Sequence, residues 1–248
     1  MTDHPPHPVP RPAPAGPPIL MADPRVTAIP VTGSDEVLVD LRTRPYVRVD
    51  PRKADPYGHY AHVREDVARR LAHAAAMLPA GLAFLFVEGY RPPDLQQHYF
   101  TAYRDRLRDL RPDLDESALH LAASRYVSPP EIAPHSAGSA IDLTLCTEDG
   151  LELPMGTTVN ASPEDSGLRC YTAAQDIDTQ SRANRELLGS VLTAAGFVNY
   201  PTEWWHWSYG DRYWALSTGR DSAPYGPVLR DPDPSPPTGD GAVDEVAR

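Results

Sequence analysis

The sequence predicts an α+β fold in one domain, and three observations carry that expectation. Apolar residues recur at helical spacing in some segments and alternate, or run unbroken, in others. Helices alternate with strands early and the last stretch is β-rich, without a repeating βαβ unit. No glycine-rich phosphate loop follows a strand, which disfavours a Rossmann-like alternative.

The elements follow in chain order. From His62 to Leu78, the residues Val63, Val67, Leu71, Ala74 and Leu78 mark one face of a helix, and Pro79-Ala80-Gly81 stops it. Ala83-Phe84-Leu85-Phe86-Val87 is short and wholly apolar, as a buried strand requires, and its end delivers the polar loop Glu88-Gly89-Tyr90-Arg91-Pro92. A second helix is expected to start near Asp94 as a cap, carry Leu95, Tyr99, Ala102, Leu107 and Leu110, and end at Pro112. A shorter one spans Glu116 to Ser124. In 140–145, Ile141, Leu143 and Leu145 alternate with Asp142 and Thr144, so a half-buried strand is expected with those two polar residues on its other face. Ser181 to Ala195 reads as a helix with Leu187, Leu188, Val191 and Leu192 inward and Gly196 at its end. A β region runs from Phe197 to Tyr209, interrupted at Pro201.

The ends differ from this middle. Of 29 prolines in 248 residues, ten lie in the first thirty positions and six after Asp221. Segments 1–30 and 223–248 are therefore expected as extended tails, the second of them acidic and Pro/Gly-rich, around a domain at 31–222. A formal charge of −11 repels phosphate backbones and anionic lipid, so neither nucleic acid nor membrane is an expected partner. No apolar run reaches the roughly 18 residues that span a bilayer, and the N-terminus lacks a signal-peptide pattern, which makes the cytoplasm the default location. Cys146 and Cys170 form neither a CxxC pair nor a disulfide framework and read as ordinary thiols. Nothing in the sequence fixes an oligomeric state.

Chemistry is carried by a few polar residues. His135, Asp142 seven positions later and His206 offer two imidazoles and a carboxylate, a common three-ligand set for a divalent metal that keeps a position open for water. Singly, each also suits a hydrogen-bonded core or surface residue. The small-residue turn 136–139 lets one loop and one strand present His135 and Asp142 to a single point. Glu203, three residues before His206, is a candidate general base, but i and i+3 on a regular strand face opposite sides, so the chain must bend or bulge near Thr202–Trp204, where Pro201 allows a break. Arg91 either pairs with Glu88 or stabilises a developing oxyanion. The same His/Asp/His set also occurs in non-haem Fe(II) oxygenases, where the histidine and acid are commonly one residue apart rather than seven positions. Serine-hydrolase, nucleotide-binding and HExxH signatures are absent.

Four stretches in order, Glu88-Gly89-Tyr90-Arg91-Pro92, His135 to Leu145, Met155-Gly156-Thr157 and Glu203-Trp204-Trp205-His206, resemble the VanX-like D-alanyl-D-alanine dipeptidases of the M15 zinc peptidases. The resemblance spans roughly residues 35 to 215. It implies a central, mainly antiparallel sheet flanked by helices and one zinc ion held by His135, Asp142 and His206. It further implies Glu203 as catalytic base and acid, Arg91 beside the transition-state oxygen, and a small dipeptide, D-Ala-D-Ala, as substrate. Tyr90, Ser136, Asn160 and Trp205 are expected to contact that substrate. The chain departs from the family pattern in two places: Ala133 stands where the dipeptidases carry a serine that helps hold the substrate ammonium, and Asn160 where they carry an aspartate. Losing an anionic partner for a buried ammonium costs on the order of 2 to 5 kcal/mol, which admits a D,D-carboxypeptidase or amidase acting on an N-blocked substrate as the alternative. Glu164 or Asp165 lies close enough in sequence to substitute for the lost anchor. A catalytically dead binding domain is disfavoured because all five expected site residues are present.

Overall fold

Strand order decides where the polar residues meet. The computed structural model describes residues 16–228. Its main sheet has five strands in the order β2 (Arg48–Val49), β4 (Leu82–Glu88), β5 (Ala140–Thr147), β7 (His206–Ser208), β6 (Val198–Asn199). Only the β2·β4 pair is parallel. A separate antiparallel pair joins β1 (Leu38–Asp40) to β3 (His62–Arg64). The helices are α1 (Pro24–Thr27), α2 (Glu65–Ala75), α3 (Pro93–Leu110), α4 (Glu116–Ala123), α5 (Thr179–Ala194) and α6 (Arg212–Thr218). This is the expected α+β architecture with a mainly antiparallel central sheet.

The main core lies between one sheet face and two helices. Ile141, Leu143 and Leu145 of β5 join Val67, Leu71 and Ala74 of α2 and Leu188, Val191 and Leu192 of α5, all buried. Burying such a side chain contributes about 1.5 to 3 kcal/mol each, so these three elements anchor one another. A satellite cluster, Phe100, Tyr103, Leu107, Leu119, Ala123 and Val127, packs α3 on α4.

The structure departs from expectation at several points. His62 to Arg64 are strand rather than the first turn of a helix, because the His62 carbonyl accepts from Tyr90 N at 2.7 Å and β1 takes the neighbouring backbone. The helix therefore begins at Glu65, with Glu65 and Asp66 favourably placed at its positive end. The next helix starts at Pro93, whose missing N–H is harmless at the first position, and not from a side-chain cap at Asp94. Asp142 and Thr144 do oppose the apolar side chains of β5, yet the strand is covered on both faces: the two are 2% and 0% exposed. β1, β2, β3 and α6 gave no signal strong enough to read.

The expected tails are shorter than 1–30 and 223–248. Met21 and Val26 are buried with Ile132, Tyr200 and Tyr213, and the Met21 N–H donates to the Tyr200 hydroxyl at 3.0 Å. Asp23 caps α1 by accepting from Arg25 N, with Pro24 at the first helical position. At the other end Ala223 and Tyr225 are buried, and Val31 bridges Ala223. Apolar residues set among prolines pack here because α6 supplies a surface for them. Residues 1–15 and 229–248 of the expected tails lie outside the described residues. Both cysteines are free and buried. Among the described residues no helix is long and apolar enough to cross a membrane.

Candidate active site

Three neighbouring strands place three side chains in one row. The register sets Glu88 of β4 opposite Asp142 of β5, and Asp142 opposite His206 of β7. A register shift between Phe86 and Glu88 turns the end of β4 toward the loop that carries Arg91. His135 arrives from outside the sheet, in the turn between α4 and β5. That turn is fixed by Ser139 N and Oγ on the Pro134 carbonyl and by the Ser136 hydroxyl donating to the Arg91 carbonyl at 3.0 Å. Two glycines make the approach possible. A Cβ on Gly89 would lie 2.3 Å from the His62 carbonyl oxygen; Gly138 has φ +66° and a Cβ there would meet Leu38 at 2.4 Å.

The imidazole tautomer of His135 follows from its partner. Nδ1 lies 2.6 Å from the Gly89 carbonyl oxygen, which can only accept, so Nδ1 carries the proton and Nε2 keeps its lone pair. Nε2 is 3.4 Å from Asp142 Oδ1, and His206 Nδ1 is 2.9 Å from the same oxygen. The two rings meet edge to face at 4.9 Å. One ligand atom from each of His135, Asp142 and His206 lies within 4.8 Å of the others, and all three residues are buried. The group fits a divalent cation by its donor chemistry, two neutral nitrogens and one carboxylate oxygen. His206 offers Nδ1 to this group, since that nitrogen is the one near both Asp142 and Glu203.

Glu203 joins this group because the chain turns rather than bulges. Glu203 N bonds the Tyr200 carbonyl, His206 N bonds the Glu203 carbonyl, and the Asn199 amide donates to the carbonyls of both Glu203 and His206. The turn puts positions 203 and 206 on one side, with Glu203 Oε2 3.8 Å from His206 Nδ1. Burial, and then the charge of Asp142, push the Glu203 carboxyl well above its ordinary range, Arg91 opposing. Burial acts to raise Asp142 as well, but His135 and His206 outweigh it and hold that carboxyl below the usual carboxylate range. Two carboxylates in one site are thereby driven apart, one ionised and one proton-seeking.

Arg91 pairs with Glu88 and still faces the site. Its Nε and one Nη donate to the two Glu88 oxygens at 2.8 and 2.7 Å, and the other Nη donates to Gln96 at 2.9 Å. A guanidinium has five donors, so two remain. The two readings of Arg91 are thus compatible: Glu88 orients the guanidinium, and its two remaining donors are free to serve the cavity it lines.

His135, Asp142, Glu203, His206, Arg91 and Asn160 line a cavity of about 380 Å³, walled by Tyr99, Tyr103, Tyr126 and Tyr200 with Lys53 and Arg106 also on its lining. Asn160 sits in a left-handed conformation, φ +63°, and its carbonyl accepts from the Tyr126 hydroxyl. The other expected substrate contacts do not line this cavity. Trp205 is fully buried in the core, edge-on to Trp204. Tyr90 is buried against His59, and Ser136 spends its hydroxyl on the Arg91 carbonyl. Glu164 and Asp165, the possible replacement anchors, are engaged as well: Glu164 accepts from Tyr103 and Arg125, Asp165 from Arg106 and Ser162. Sequence reasoning missed Gln96, Tyr126 and Lys53, which reach the cavity only through the fold.

Comparison with known proteins shows the family. The Peptidase_M15 family model, described as D-ala-D-ala dipeptidase, matches residues 35–219. A D-alanyl-D-alanine dipeptidase of Synechocystis is 30% identical over 76% of this chain and 87% of its own length. Enzymes of that name from Enterococcus faecium and Escherichia coli are 32% and 30% identical, over 53% and 51% of this chain and 64% and 55% of their own lengths. With the match running from before β1 to the Gly219 that ends α6, and covering every residue of the cluster above, the chain belongs to the M15 peptidase family.

Proposed function

We propose that this protein hydrolyses the peptide bond of a small D-amino-acid dipeptide, D-Ala-D-Ala, with one zinc ion held by His135, Asp142 and His206. The observation that carries the reading is the convergence of those three buried side chains with Glu203 on one small cavity. Two extended residues span about 7 Å, a length that suits so confined a site. The names of the relatives support the same substrate.

Zinc bound there would supply Lewis acidity, polarising the scissile carbonyl and acidifying a water. The remaining work falls to side chains. Glu203, in its ionised form, takes a proton from the attacking water, and the burial that raises its proton affinity suits it to hold that proton and deliver it to the leaving amine. Arg91, held by Glu88 and Gln96, directs its two spare N–H donors at the oxygen on which charge develops. The Gly89 carbonyl keeps the lone pair of His135 Nε2 turned inward. Tyr126 and Tyr200 form part of the cavity wall.

The test is D-alanine release from D-Ala-D-Ala by the zinc-loaded protein, beside a chelator-treated sample and two variants. His135→Ala is expected to lose the metal, whereas Glu203→Ala is expected to keep it and lose turnover. A fully active Glu203→Ala protein refutes its role. A second reading is favoured by Ala133, Asn160 and the prior engagement of Glu164 and Asp165, which leave no evident carboxylate for a substrate ammonium. Under it, N-acetyl-D-Ala-D-Ala is cleaved faster than the free dipeptide, and the ratio of the two kcat/KM values decides.

A further inference from the structure

Lys53 closes a 3-10 turn, Pro51–Lys53, just after the edge strand β2, and its side chain lines the same cavity as the metal-ligand cluster. Its ammonium sits 4.0 Å from Glu88 Oε2 and 5.4 Å from the centre of the Tyr99 ring. Arg91 already occupies both oxygens of Glu88, and its guanidinium lies over the same ring at 5.0 Å. Two cations therefore share one carboxylate, which leaves a surplus positive charge beside the metal-ligand cluster. Among the described residues Lys53 donates no hydrogen bond, although an ammonium offers three. Arg106, another lining cation, is matched by two bonds to Asp165. Of the carboxylates on the lining, Asp142 and Glu203 are committed to the metal and the proton.

We propose that Lys53 is a specificity-determining residue that binds the C-terminal carboxylate of the substrate. The assignment rests on the dipeptide-hydrolase reading above. In a dipeptide the terminal carboxylate carbon lies three bonds from the scissile carbonyl carbon, about 3 to 4 Å away. A group that meets the carboxylate must therefore neighbour the group that meets the carbonyl oxygen. Lys53 and Arg91 are such neighbours, both close to one oxygen of Glu88 and to the Tyr99 ring. The turn 51–53 thus sets how close to the metal a chain terminus must lie, and Lys53 selects substrates that end one residue beyond the cleaved bond.

The experiment compares D-Ala-D-Ala with D-Ala-D-alaninamide, which lacks the carboxylate, on the zinc-loaded protein and its Lys53→Met and Lys53→Arg variants. For D-Ala-D-Ala, Lys53→Met is expected to raise KM about 10- to 100-fold with kcat nearly unchanged, the loss of one charge-assisted hydrogen bond. Lys53→Arg restores most of the affinity, and the amide shows no difference between wild type and Lys53→Met. An unchanged KM for D-Ala-D-Ala, or an equal loss for the amide, overturns the proposal while leaving the hydrolase reading intact. If the wild type cleaves neither compound, that reading fails, and calorimetric binding of D-Ala-D-Ala to wild type and Lys53→Met decides the Lys53 assignment by itself. Weaker binding to the variant then supports it; equal or absent binding overturns it.

Discussion

Glu88 and Arg91 are both buried, and neither charge is tolerable there alone. Burial acts to raise the Glu88 carboxyl, but Arg91 outweighs it and holds the group below its ordinary value. Removing one partner of such a pair leaves an uncompensated buried charge, which costs about 3 to 5 kcal/mol. Glu88→Gln is therefore expected to lose about that much stability in a urea titration, and with it the orientation of Arg91, so kcat falls as well. A variant with unchanged midpoint would mean that Gln96 alone can hold the guanidinium. At this scale the sequence was most legible where a polar residue interrupts an apolar context, as at Asp142, His206 and Arg91. Lys53 and Tyr126 gave no such signal, because a polar residue on a turn looks the same whether it faces solvent or a cavity.

At the scale of elements, the site depends on how closely two loops approach two strands. The 136–139 turn places His135 only because Gly138 accepts φ +66° and leaves room for Leu38 of β1. Gly138→Ala combines about 1 to 2 kcal/mol of backbone strain with a clash against Leu38, and the turn must shift. The expected outcome is weaker zinc retention in a dialysis series together with a lower Tm. Gly89→Ala is expected to be worse, since the atom it meets is a backbone oxygen that no side-chain rotation can move. The helices α2, α3, α4 and α5 were readable because each carries three or more turns of periodic apolar residues, or a clear cap and stop. The two- and three-residue strands β1, β2 and β3 are too short for any period to show, whereas β6 and β7 fall inside the β region expected over 197–209. The bend required between Glu203 and His206 was readable as a need, whereas its form, a turn closed by Asn199, depends on a side chain outside the motif.

The whole molecule carries a charge of −11, and several of its acids are buried at one place with opposite consequences for stability. Glu88 and Asp142 have folded values below their ordinary 4.5 and 3.8, so what they contribute is fully present above those values and is lost as pH falls through the lower, folded ones. Glu203 and Asp211 are raised, chiefly by burial, so their contribution is present below the ordinary values and is lost as pH rises toward the folded ones. The metal-free protein is therefore expected to lose stability on the acid side through Glu88, Asp142 and His206, whose imidazole is held below its ordinary value by burial, and on the neutral side through Glu203 and Asp211. Glu203→Gln, which removes the proton-seeking carboxylate without changing its shape, should raise the Tm of the metal-free protein at pH 7 and have little effect at pH 4.5. Zinc works against the same balance, because it binds only deprotonated ligands and stabilises by mass action, about 2.7 kcal/mol at a hundredfold excess over Kd. The difference in Tm between zinc-loaded and chelated protein is accordingly expected to be largest at pH 7 to 8 and to shrink as pH falls below about 6, where imidazole ligands take up protons. Scanning calorimetry of both forms across that range measures it. A difference that stays constant with pH would mean that the ion binds away from His135, Asp142 and His206.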